Sequence, residues 1–325
     1  MARSADEKMQ PDLTWPVTVW RSHDLLGGRK AASLTMILRT VGCRWNRCTM
    51  CGYASEGAPA TADDLVAQFE RAMQRSSSEV QVVKIYTSGS FLDPLEMPEK
   101  ARDEILQRLE ALGIKRLVIE SRPEYITSER VEVCLSRLDT EFAIGLETSS
   151  DLIRQHIIRK GFCFADFVAA SEVVHGQGGR VKAYILQKPP LLSEGEALRD
   201  AMTSARMARD YADVLSLNLC NVQRNTQVER MWARGEYRPP WLWSALEVLR
   251  SVPGPIVCDP VGAGTRRGPH NCGKCDAIVA EAIREHALSQ DKTVFEKLGC
   301  ECKAAWLECM ELEENSFGTP LGEPF

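Results

Sequence analysis

The sequence lacks any run of eighteen apolar residues, and its first twelve residues, MARSADEKMQPD, are polar. A membrane-spanning helix needs about 20 apolar residues, and a secretory signal needs an apolar stretch near its start. We therefore expect a cytoplasmic protein with no membrane partner. Strong positive charge is also absent: the net charge of −5 is not that of a protein that coats nucleic acid by bulk attraction, although it permits a local basic groove.

What the chain does contain is cysteine. Twelve cysteines would be unusual as disulfides in a reducing cytoplasm, and their clustering indicates metal binding. Cys43, Cys48 and Cys51 form a C-x4-C-x2-C pattern after an apolar run that predicts a strand, and the next cysteine, Cys134, is far away. A four-iron cluster needs a fourth ligand. The pattern favours a cluster with one open iron; a zinc site with a distant fourth ligand and three unrelated buried thiols are the alternatives.

Apolar runs alternate with helical spacings along most of the chain. Six strands are predicted, at residues 34–38, 80–87, 116–121, 142–147, 181–186 and 214–220. Strands separated by such helices predict parallel β-α units. We expect an α/β fold with a partial (β/α)6 barrel over residues 31–252, for which a doubly wound sheet is the competing arrangement. A lead-in at residues 1–30 precedes it, and a small cysteine-rich metal-binding extension at residues 253–325 follows.

Polar side chains gather where each predicted strand ends, which is where parallel α/β enzymes have their active sites. In chain order these groups are Cys43–Cys51, Thr87–Ser90, Glu120–Arg122, Glu147–Ser149, Gln187–Lys188 and Asn218–Asn221. Both arrangements of the sheet bring these ends to one edge. The chemistry is therefore predicted to take place there.

These segments resemble the radical S-adenosylmethionine (SAM) superfamily. The resemblance extends through TSGSF, ESRPEYI, GLETSSD, LQKPPL and LNLCNVQRNT into the tail CDPVGAGTRRGPHNCGKCD. The superfamily loop is usually C-x3-C-x2-C, and the longer first gap found here is similar to the elongator-catalytic-subunit branch. No sequence remains for the acetyltransferase domain of that branch. The chain is therefore most similar to the family of the archaeosine synthase radical SAM subunit (RaSEA).

The resemblance implies that the three loop cysteines ligate a [4Fe–4S] cluster. The amino and carboxylate groups of SAM would chelate its free iron. The segment Ser88–Ser90 replaces a Gly-Gly-Glu segment that pairs with the SAM amino group, but it lacks the Glu. The SAM-binding candidates are Ser88, Gly89, Ser90, Glu120, Arg122, Glu147 and Lys182, with Arg159 or Lys160 as substitutes. A positive side chain is needed for the methionine carboxylate, as a fork from Arg or a point charge from Lys.

The same resemblance implies an activity on archaeal tRNA. An ArcS-type partner enzyme attaches lysine to the nitrile of a cyano-deazaguanine base in the D-arm. With an electron from a reductant, this chain would take a hydrogen from the lysine carbon next to the amidine nitrogen, and cleavage of the C–N bond leaves archaeosine in a lyase-type reaction. The candidates for binding the lysine are Gln187, Lys188, Asn218, Asn221 and Gln223. The cofactor breaks the bonds while the protein supplies orientation and a dry cavity.

A second group of cysteines lies in the tail and comprises Cys258, Cys272, Cys275, Cys300 and Cys302. A C-x2-C knuckle followed by a second half about 25 residues later is typical of zinc sites. Four of these five predict a structural zinc site, with His270 as a possible substitute. A second iron–sulfur cluster is the alternative because thiolates suit both metals. Cys134, Cys163 and Cys220 are predicted to be core thiols.

Basic residues surround this knuckle: Arg224, Arg230, Arg234, Arg238, Arg266, Arg267, His270 and Lys274. In an acidic protein a local basic group favours contact with RNA phosphate, and solvated surface arginines are the plainer interpretation. Two rival functions remain open. One is a radical SAM enzyme that acts on another tRNA base or a small molecule, and the other is a non-catalytic iron–sulfur or zinc RNA-binding protein.

Overall fold

The computed structural model describes residues 12–76 and 79–316. The strands are β1 (Thr18–Leu26), β2 (Arg29–Ile37), β3 (Val82–Tyr86), β4 (Arg116–Ser121), β5 (Thr140–Glu147), β6 (Arg180–Gln187), β7 (Val214–Leu219) and β8 (Ile256–Val257). The α-helices are α1 (Ala62–Met73), α2 (Glu99–Ala111), α3 (Ser128–Leu135), α4 (Phe164–Gly176), α5 (Glu194–Ala208), α6 (Gln227–Ala233), α7 (Leu242–Ser251), α8 (Asp276–Ser289) and α9 (Cys302–Ser316). A π-helix spans Ile153–Ile158.

The eight strands form one sheet in strict chain order, β1 to β8. β1 runs antiparallel to β2, and every later neighbour is parallel. The sheet curls into a half-barrel with helices between successive parallel strands. The predicted partial barrel is confirmed. The doubly wound alternative is wrong, because that fold reverses its strand order at a switch point and this sheet does not.

All six predicted strands are present, and two further strands extend the sheet at its edges. β1 lies in the predicted lead-in and pairs with β2 over its whole length. β8 lies beyond residue 252 and pairs with β7 through two residues. The predicted boundary at residue 30 therefore falls inside β2, and the one at residue 252 separates β8 from its sheet. The division into three units stays a prediction.

Alternation along the strands separates an apolar outer face from a polar lumen. In β6, Val181, Ala183 and Ile185 are fully buried in the main core. Lys182 and Tyr184 are on the other face. The strands are therefore less uniformly apolar than predicted, because the half-barrel is open and its inner face contacts a polar site instead of a second layer of helices.

Capping boxes determine where two of the outer helices begin. The Thr61 side chain accepts the Asp64 N–H before α1, and Asp64 in turn accepts the Thr61 N–H at 2.8 Å. Ser193 and Glu196 do the same before α5. A cap of this kind stabilises a helix by about 0.5–2 kcal/mol. Within the described residues, none of the helices has the length and apolar character that crossing a membrane requires.

Candidate functional site

The three-cysteine loop follows β2 at the carboxyl end of the sheet, and contacts from three other loops fix it there. The Thr49 N–H donates to the Ile158 carbonyl at 2.9 Å. The Gly52 N–H donates to Oε1 of Gln223 at 2.6 Å. The Arg44 guanidinium forms a fork on Asp93, with both N–O distances 2.7 Å. The loop is therefore held in place by protein contacts around its three thiols.

Cys43, Cys48 and Cys51 are all partly buried. Burial raises the pKa of Cys48 to about 12 and also raises the pKa of Cys51, with each neighbouring thiol adding to the shift. In the described part of the chain, their three Sγ atoms do not all lie within 4.8 Å of one another. A single ion would need that closeness, whereas a multi-iron cluster has each thiolate on a different iron. The loop therefore suits a cluster better than zinc.

Gly89 lies directly against the first of these cysteines. A Cβ atom at this position would be 2.9 Å from Sγ of Cys43 and 2.7 Å from Oε1 of Glu96. Oε2 of Glu96, in turn, accepts the N–H groups of Gly89 at 3.2 Å and Ser90 at 2.9 Å. Glu96 is 1% exposed. It therefore shapes the loop after β3, which brings backbone close to the cysteines.

We expect Gly89→Ala to lower the iron content of the protein severalfold. The added methyl group would be closer to Cys43 and Glu96 than ordinary van der Waals contact, so the cysteine loop must shift. Iron and sulfide per chain after anaerobic reconstitution measure the effect. Gly176→Ala is the matched control, because nothing lies within 4 Å of that position. Normal iron content in Gly89→Ala would show that the protein can hold its iron without close contact between the loop after β3 and the cysteine loop.

Two carboxylates lie on the lumen side near the cysteines. Burial raises the pKa of Glu120 to about 7, and Tyr184 hydrogen-bonds it. Glu147 adopts φ 69° at the end of β5 and forms an ion pair with Lys160. Burial alone would lower the pKa of Lys160, but the Glu147 carboxylate raises it above its ordinary value. Lys160 also acts electrostatically on Cys48, as Arg122 does, and the effect of Lys160 is the larger of the two.

The other three predicted cations are differently placed, and Arg159 is exposed. Arg122 is 6% exposed, contacts Glu124 at 2.5 Å, and donates to the Lys160 carbonyl at 3.0 Å. Lys182 is only the third residue of β6 and pairs with Glu141 at 2.5 Å, near the amino ends of the strands. Lys182 therefore lies near the start of its strand, away from the strand ends next to the cysteine loop, and its role in SAM binding stays a prediction.

Of the predicted lysine-binding residues, three are already engaged or enclosed. Gln187 is 0% exposed, and its amide has no hydrogen-bond partner among the described residues. Lys188 is 4% exposed and pairs with Glu194 at 2.7 Å. Gln223 holds Gly52 of the cysteine loop. Gln187 and Lys188 are therefore enclosed by the protein, and their role in binding the lysine stays a prediction. Asn218 and Asn221, both partly buried, remain accessible at the end of β7.

The tail forms a compact four-thiol group made of Cys272, Cys275, Cys300 and Cys302. The distance from Sγ of Cys272 is 3.9 Å to Cys275 and 3.7 Å to Cys300, and Cys275 is 3.7 Å from Cys302. All four Sγ atoms lie within 4.8 Å of one another. Metal–sulfur bonds of about 2.3 Å in a tetrahedron give sulfur–sulfur distances of about 3.8 Å. The group therefore has the dimensions of a site for one ion.

Donor groups point at these thiols from the surrounding fold. The Trp243 indole N–H lies 3.3 Å from Sγ of Cys302, and the Asn271 amide lies 3.4 Å from Sγ of Cys275. The Lys274 N–H lowers the pKa of Cys272 to about 7. Such donors stabilise thiolates, which are the form that binds metal.

The other predicted tail ligands are not in this group. Cys258 is 1% exposed and packs in the main core. The ring of His270 contacts the Gly268 carbonyl at 2.8 Å. Cys134 and Cys220 are buried, as predicted for core thiols, whereas Cys163 is partly exposed at the start of α4.

The basic residues near the tail divide into two sets. Arg267 pairs with Glu229 at 2.6 Å, and Arg234 pairs with Glu236 at 2.7 Å. Arg238 donates to the carbonyls of His270 and Asn271. These three therefore stabilise the fold. The remaining exposed cations are Arg224, Arg230, Arg266 and Lys274.

Sequence reasoning missed two carboxylates that organise the site, Glu96 and Glu194. Each lies several residues beyond a strand end, in a segment that resembles an ordinary polar loop or helix start. Glu194 is 0% exposed, and its Oε1 accepts the Trp241 N–H at 3.0 Å and the Ser244 hydroxyl at 2.5 Å. In the sequence, Glu194 stands directly before Gly195 and the capping residue Glu196. Nothing in that segment indicates the contacts of Glu194 with Trp241 and Ser244.

The chain is similar to two named proteins along most of its length. No protein-family model matches the chain. It is 44% identical to archaeosine synthase subunit beta of Methanosarcina acetivorans over 97% of this chain and 95% of that protein. It is 39% identical to archaeosine synthase subunit beta of Thermococcus kodakarensis over 89% of this chain and 95% of that one. A queuine lyase from Clostridium spiroforme, solved with SAM and queuine, is 15% identical with a TM-score of 0.49, covering 79% of this chain and 96% of that one. Identity at this level along nearly the whole length means that the chain belongs to the archaeosine synthase subunit beta family.

Proposed function

We propose that this protein carries out the radical step of archaeosine formation on tRNA. Its substrate is the lysine-modified deazaguanine base in the D-arm, which an ArcS-type enzyme supplies. Loss of one hydrogen to the adenosyl radical and of one electron to the oxidised cluster would convert the lysine carbon and its amidine nitrogen into an iminium. Water admitted after the radical step would hydrolyse that iminium, so the products are archaeosine and the lysine remnant as an aldehyde. The observation that carries the proposal is the three-thiol loop at the mouth of the half-barrel, in a chain with near full-length identity to this family.

Cys43, Cys48 and Cys51 would hold a [4Fe–4S] cluster, with one iron left for SAM. The wide separation of the three thiols and the close backbone of Gly89 are consistent with such a group. When bound, the cluster and SAM supply a 5′-deoxyadenosyl radical that takes hydrogen from the lysine carbon bonded to the amidine nitrogen. The half-barrel orients that carbon and excludes water. A one-electron reductant is the remaining requirement.

Lys160 is the group that we assign to the methionine carboxylate of SAM. It lies beside Cys48, and its ammonium forms an ion pair with the carboxylate of Glu147, which SAM can share or displace. Carbonyl groups of the segment Ser88–Ser90 and the carboxylates of Glu120 and Glu147 are the acceptors for the SAM amino group and ribose. Arg122 supports this site from behind by holding the Lys160 carbonyl.

Lys160→Met is expected to weaken SAM binding by about 10-fold to 100-fold, the effect of losing a charged hydrogen bond. Equilibrium dialysis against the reconstituted, anaerobic protein measures the affinity. Lys182→Met is the contrasting variant, because its ion pair with Glu141 lies at the other end of the strands. It should lower stability and leave SAM affinity unchanged. If instead Lys182→Met weakens SAM binding and Lys160→Met does not, the assignment is wrong.

Asn218 and Asn221 are the residues that we assign to the lysine moiety. Both follow or end β7 beside the cysteine loop, and amide groups pair with either the amine or the carboxylate of an amino acid. Asn218 accepts the Ser216 hydroxyl at 3.1 Å, which leaves its amide N–H groups available. Gln223 acts indirectly, through Gly52.

The decisive test is mass spectrometry of tRNA carrying the lysine-modified base, incubated anaerobically with the protein, SAM and dithionite. We expect archaeosine in the tRNA and 5′-deoxyadenosine in solution. Formation of 5′-deoxyadenosine without archaeosine would favour a radical SAM enzyme that acts on another base or a small molecule. Absence of both would favour the non-catalytic metal protein.

We further propose that the four tail thiols bind one structural zinc ion. Their spacing matches a single tetrahedral ion, whereas an iron–sulfur cluster would place each thiolate on a different iron. α9 begins at Cys302, so the ion would attach this helix to the knuckle before α8.

Elemental analysis of purified protein is expected to give one zinc per chain in addition to the cluster iron. Cys300→Ser should remove that zinc and lower the melting temperature by several degrees. Cys309→Ser, outside the four-thiol group, should retain the zinc. About eight irons per chain and no zinc would overturn this proposal in favour of a second cluster.

A further inference from the structure

A groove on the outer side of the cysteine loop has no role in the site described so far. Its volume is about 500 Å³, and it is lined by Trp45, Arg47, Gln155, Arg159 and Gly161. Trp45 and Arg47 lie between the first and second cysteines in the sequence. The groove is therefore built partly from the loop that would hold the cluster.

Three polar side chains of this groove, Arg47, Arg159 and Gln155, have no ion-pair or hydrogen-bond partner in the part of the chain that the structure describes. Arg47, Arg159 and Gln155 are exposed. Among the described residues neither guanidinium has a carboxylate within ion-pair distance, and the Gln155 amide makes no hydrogen bond. Most other arginines around the mouth, including Arg44, Arg122 and Arg267, are paired with acids. Two unpaired cations in a groove without acidic lining make a local positive site in a protein of net charge −5.

The aromatic ring of the groove is held rigidly. The Trp45 indole N–H donates to the Arg159 carbonyl at 2.6 Å. A Cβ at Gly161 would be 2.0 Å from the Trp45 ring, so only glycine permits this contact, and its φ is +78°. The Arg47 guanidinium lies over the same ring, 5.3 Å from its centre. The Trp45 ring therefore holds the Arg47 guanidinium in place as a flat, charged surface at the groove.

One short turn joins the groove to the lumen. Arg159 adopts φ 61° at the end of the π-helix and lies at the groove, while the next residue, Lys160, pairs with Glu147 in the lumen. A ligand in the groove therefore lies one residue away from the group that we assign to SAM. A chain bound at this groove can extend into the reactive mouth without crossing the surface of the protein.

We propose that this groove binds a nucleotide of the tRNA next to the base being modified, with Arg47 and Arg159 on its phosphates and its base against the Arg47–Trp45 stack. Proteins recognise unpaired RNA through guanidinium planes, aromatic rings and phosphate contacts, which is the set present here. The volume is also of the size that takes a small organic ligand. The proposal rests on the proposed tRNA substrate and specifies where that substrate contacts the rim.

Binding of lysine-modified tRNA to the reconstituted, SAM-loaded protein tests the proposal, measured by fluorescence anisotropy at several salt concentrations. Arg47→Ala and Arg159→Ala should each weaken binding about tenfold. Each should also lower the salt dependence of log K by about 0.7–0.9. Ultraviolet crosslinking of the wild-type complex should join a nucleotide to a peptide containing residues 45–47 or 155–161. Iron content should stay at the wild-type value in both variants, and SAM affinity should stay at the wild-type value in Arg47→Ala.

Arg206→Ala is the matched control. Arg206 is an exposed arginine in the last turn of α5, towards the amino ends of the strands, so its loss should leave tRNA binding unchanged. If Arg47→Ala and Arg159→Ala bind tRNA like the wild type, the proposal is overturned. It is equally overturned if the two variants bind tRNA normally and lose affinity only for the partner enzyme. If the wild type binds tRNA in this Arg-dependent way but forms no archaeosine, the proposed reaction fails and the groove stands.

Discussion

Cys48→Ala is expected to abolish formation of 5′-deoxyadenosine, with a loss of at least a thousandfold. Cys48 is the middle ligand of the three-thiol loop, and its neighbours Cys43 and Cys51 cannot hold a cube that already has only three protein ligands. The thiol is partly buried and interacts electrostatically with Cys51 and Lys160. Iron, sulfide and the near-ultraviolet and visible absorption of the reconstituted variant measure cluster loss, and chromatography measures 5′-deoxyadenosine.

Cys163→Ser is the control for this variant. Cys163 is the residue before α4, where its N–H donates to the Asp166 carboxylate at 2.6 Å and its carbonyl accepts the Asp166 N–H at 3.1 Å, and serine is a good residue for that position. We expect full cluster content and full SAM cleavage. A Cys48→Ala protein that still contains four irons per chain and cleaves SAM would exclude the loop as the cluster site, and the proposed reaction with it.

Lys188→Met is expected to reduce the free energy of unfolding by about 3–5 kcal/mol, because removing one partner of a buried ion pair leaves the other charge uncompensated. The side chains of Lys188 and Glu194 are 4% and 0% exposed. Glu194 also binds α7 through Ser244, and the Trp306 indole N–H donates to that same hydroxyl at 2.9 Å. This network connects the end of β6 to α9. Urea denaturation followed by circular dichroism measures the change.

The double variant Lys188→Met with Glu194→Gln should recover most of this stability, since neither buried charge remains while Gln keeps the shape and an acceptor for Ser244. A lysine-binding role for Lys188 predicts the opposite pattern. In that case Lys188→Met would raise the KM for modified tRNA with little effect on unfolding, and the second substitution would recover nothing.

The sequence predicted the six parallel strands because each strand has an apolar outer face. A helix separates each of these strands from the next, so the same pattern repeats along the chain. The edge strands were missed for two different reasons. β1 carries polar residues such as Arg21, His23 and Asp24 along one half-exposed edge, so its pattern is weak. β8 has only two residues, too few for any periodicity. In both cases pairing with a neighbour creates the strand.

The candidate site was predictable where residues act through sequence neighbours. The three cysteines lie within nine residues, and the tail knuckle within four, so spacing alone indicates metal. The sequence left four candidate cations for SAM, because it does not show which end of the lumen residues such as Lys160 and Lys182 reach. The sequence is limited in the same way for Lys188. A lysine at a strand end resembles a ligand in the sequence, and only the structure shows the buried Glu194 beside it.

The sequence by itself determined the fold class, the two cysteine groups and the edge of the sheet where the site would lie, since these follow from local periodicity and spacing. Only the tertiary structure decided which of the five tail cysteines form a one-ion group, which carboxylates hold the loops, and which cations remain unpaired. Those features depend on distances between residues far apart in the chain. Burial, pairing and strand register set these distances, and none of the three is a property of a single segment.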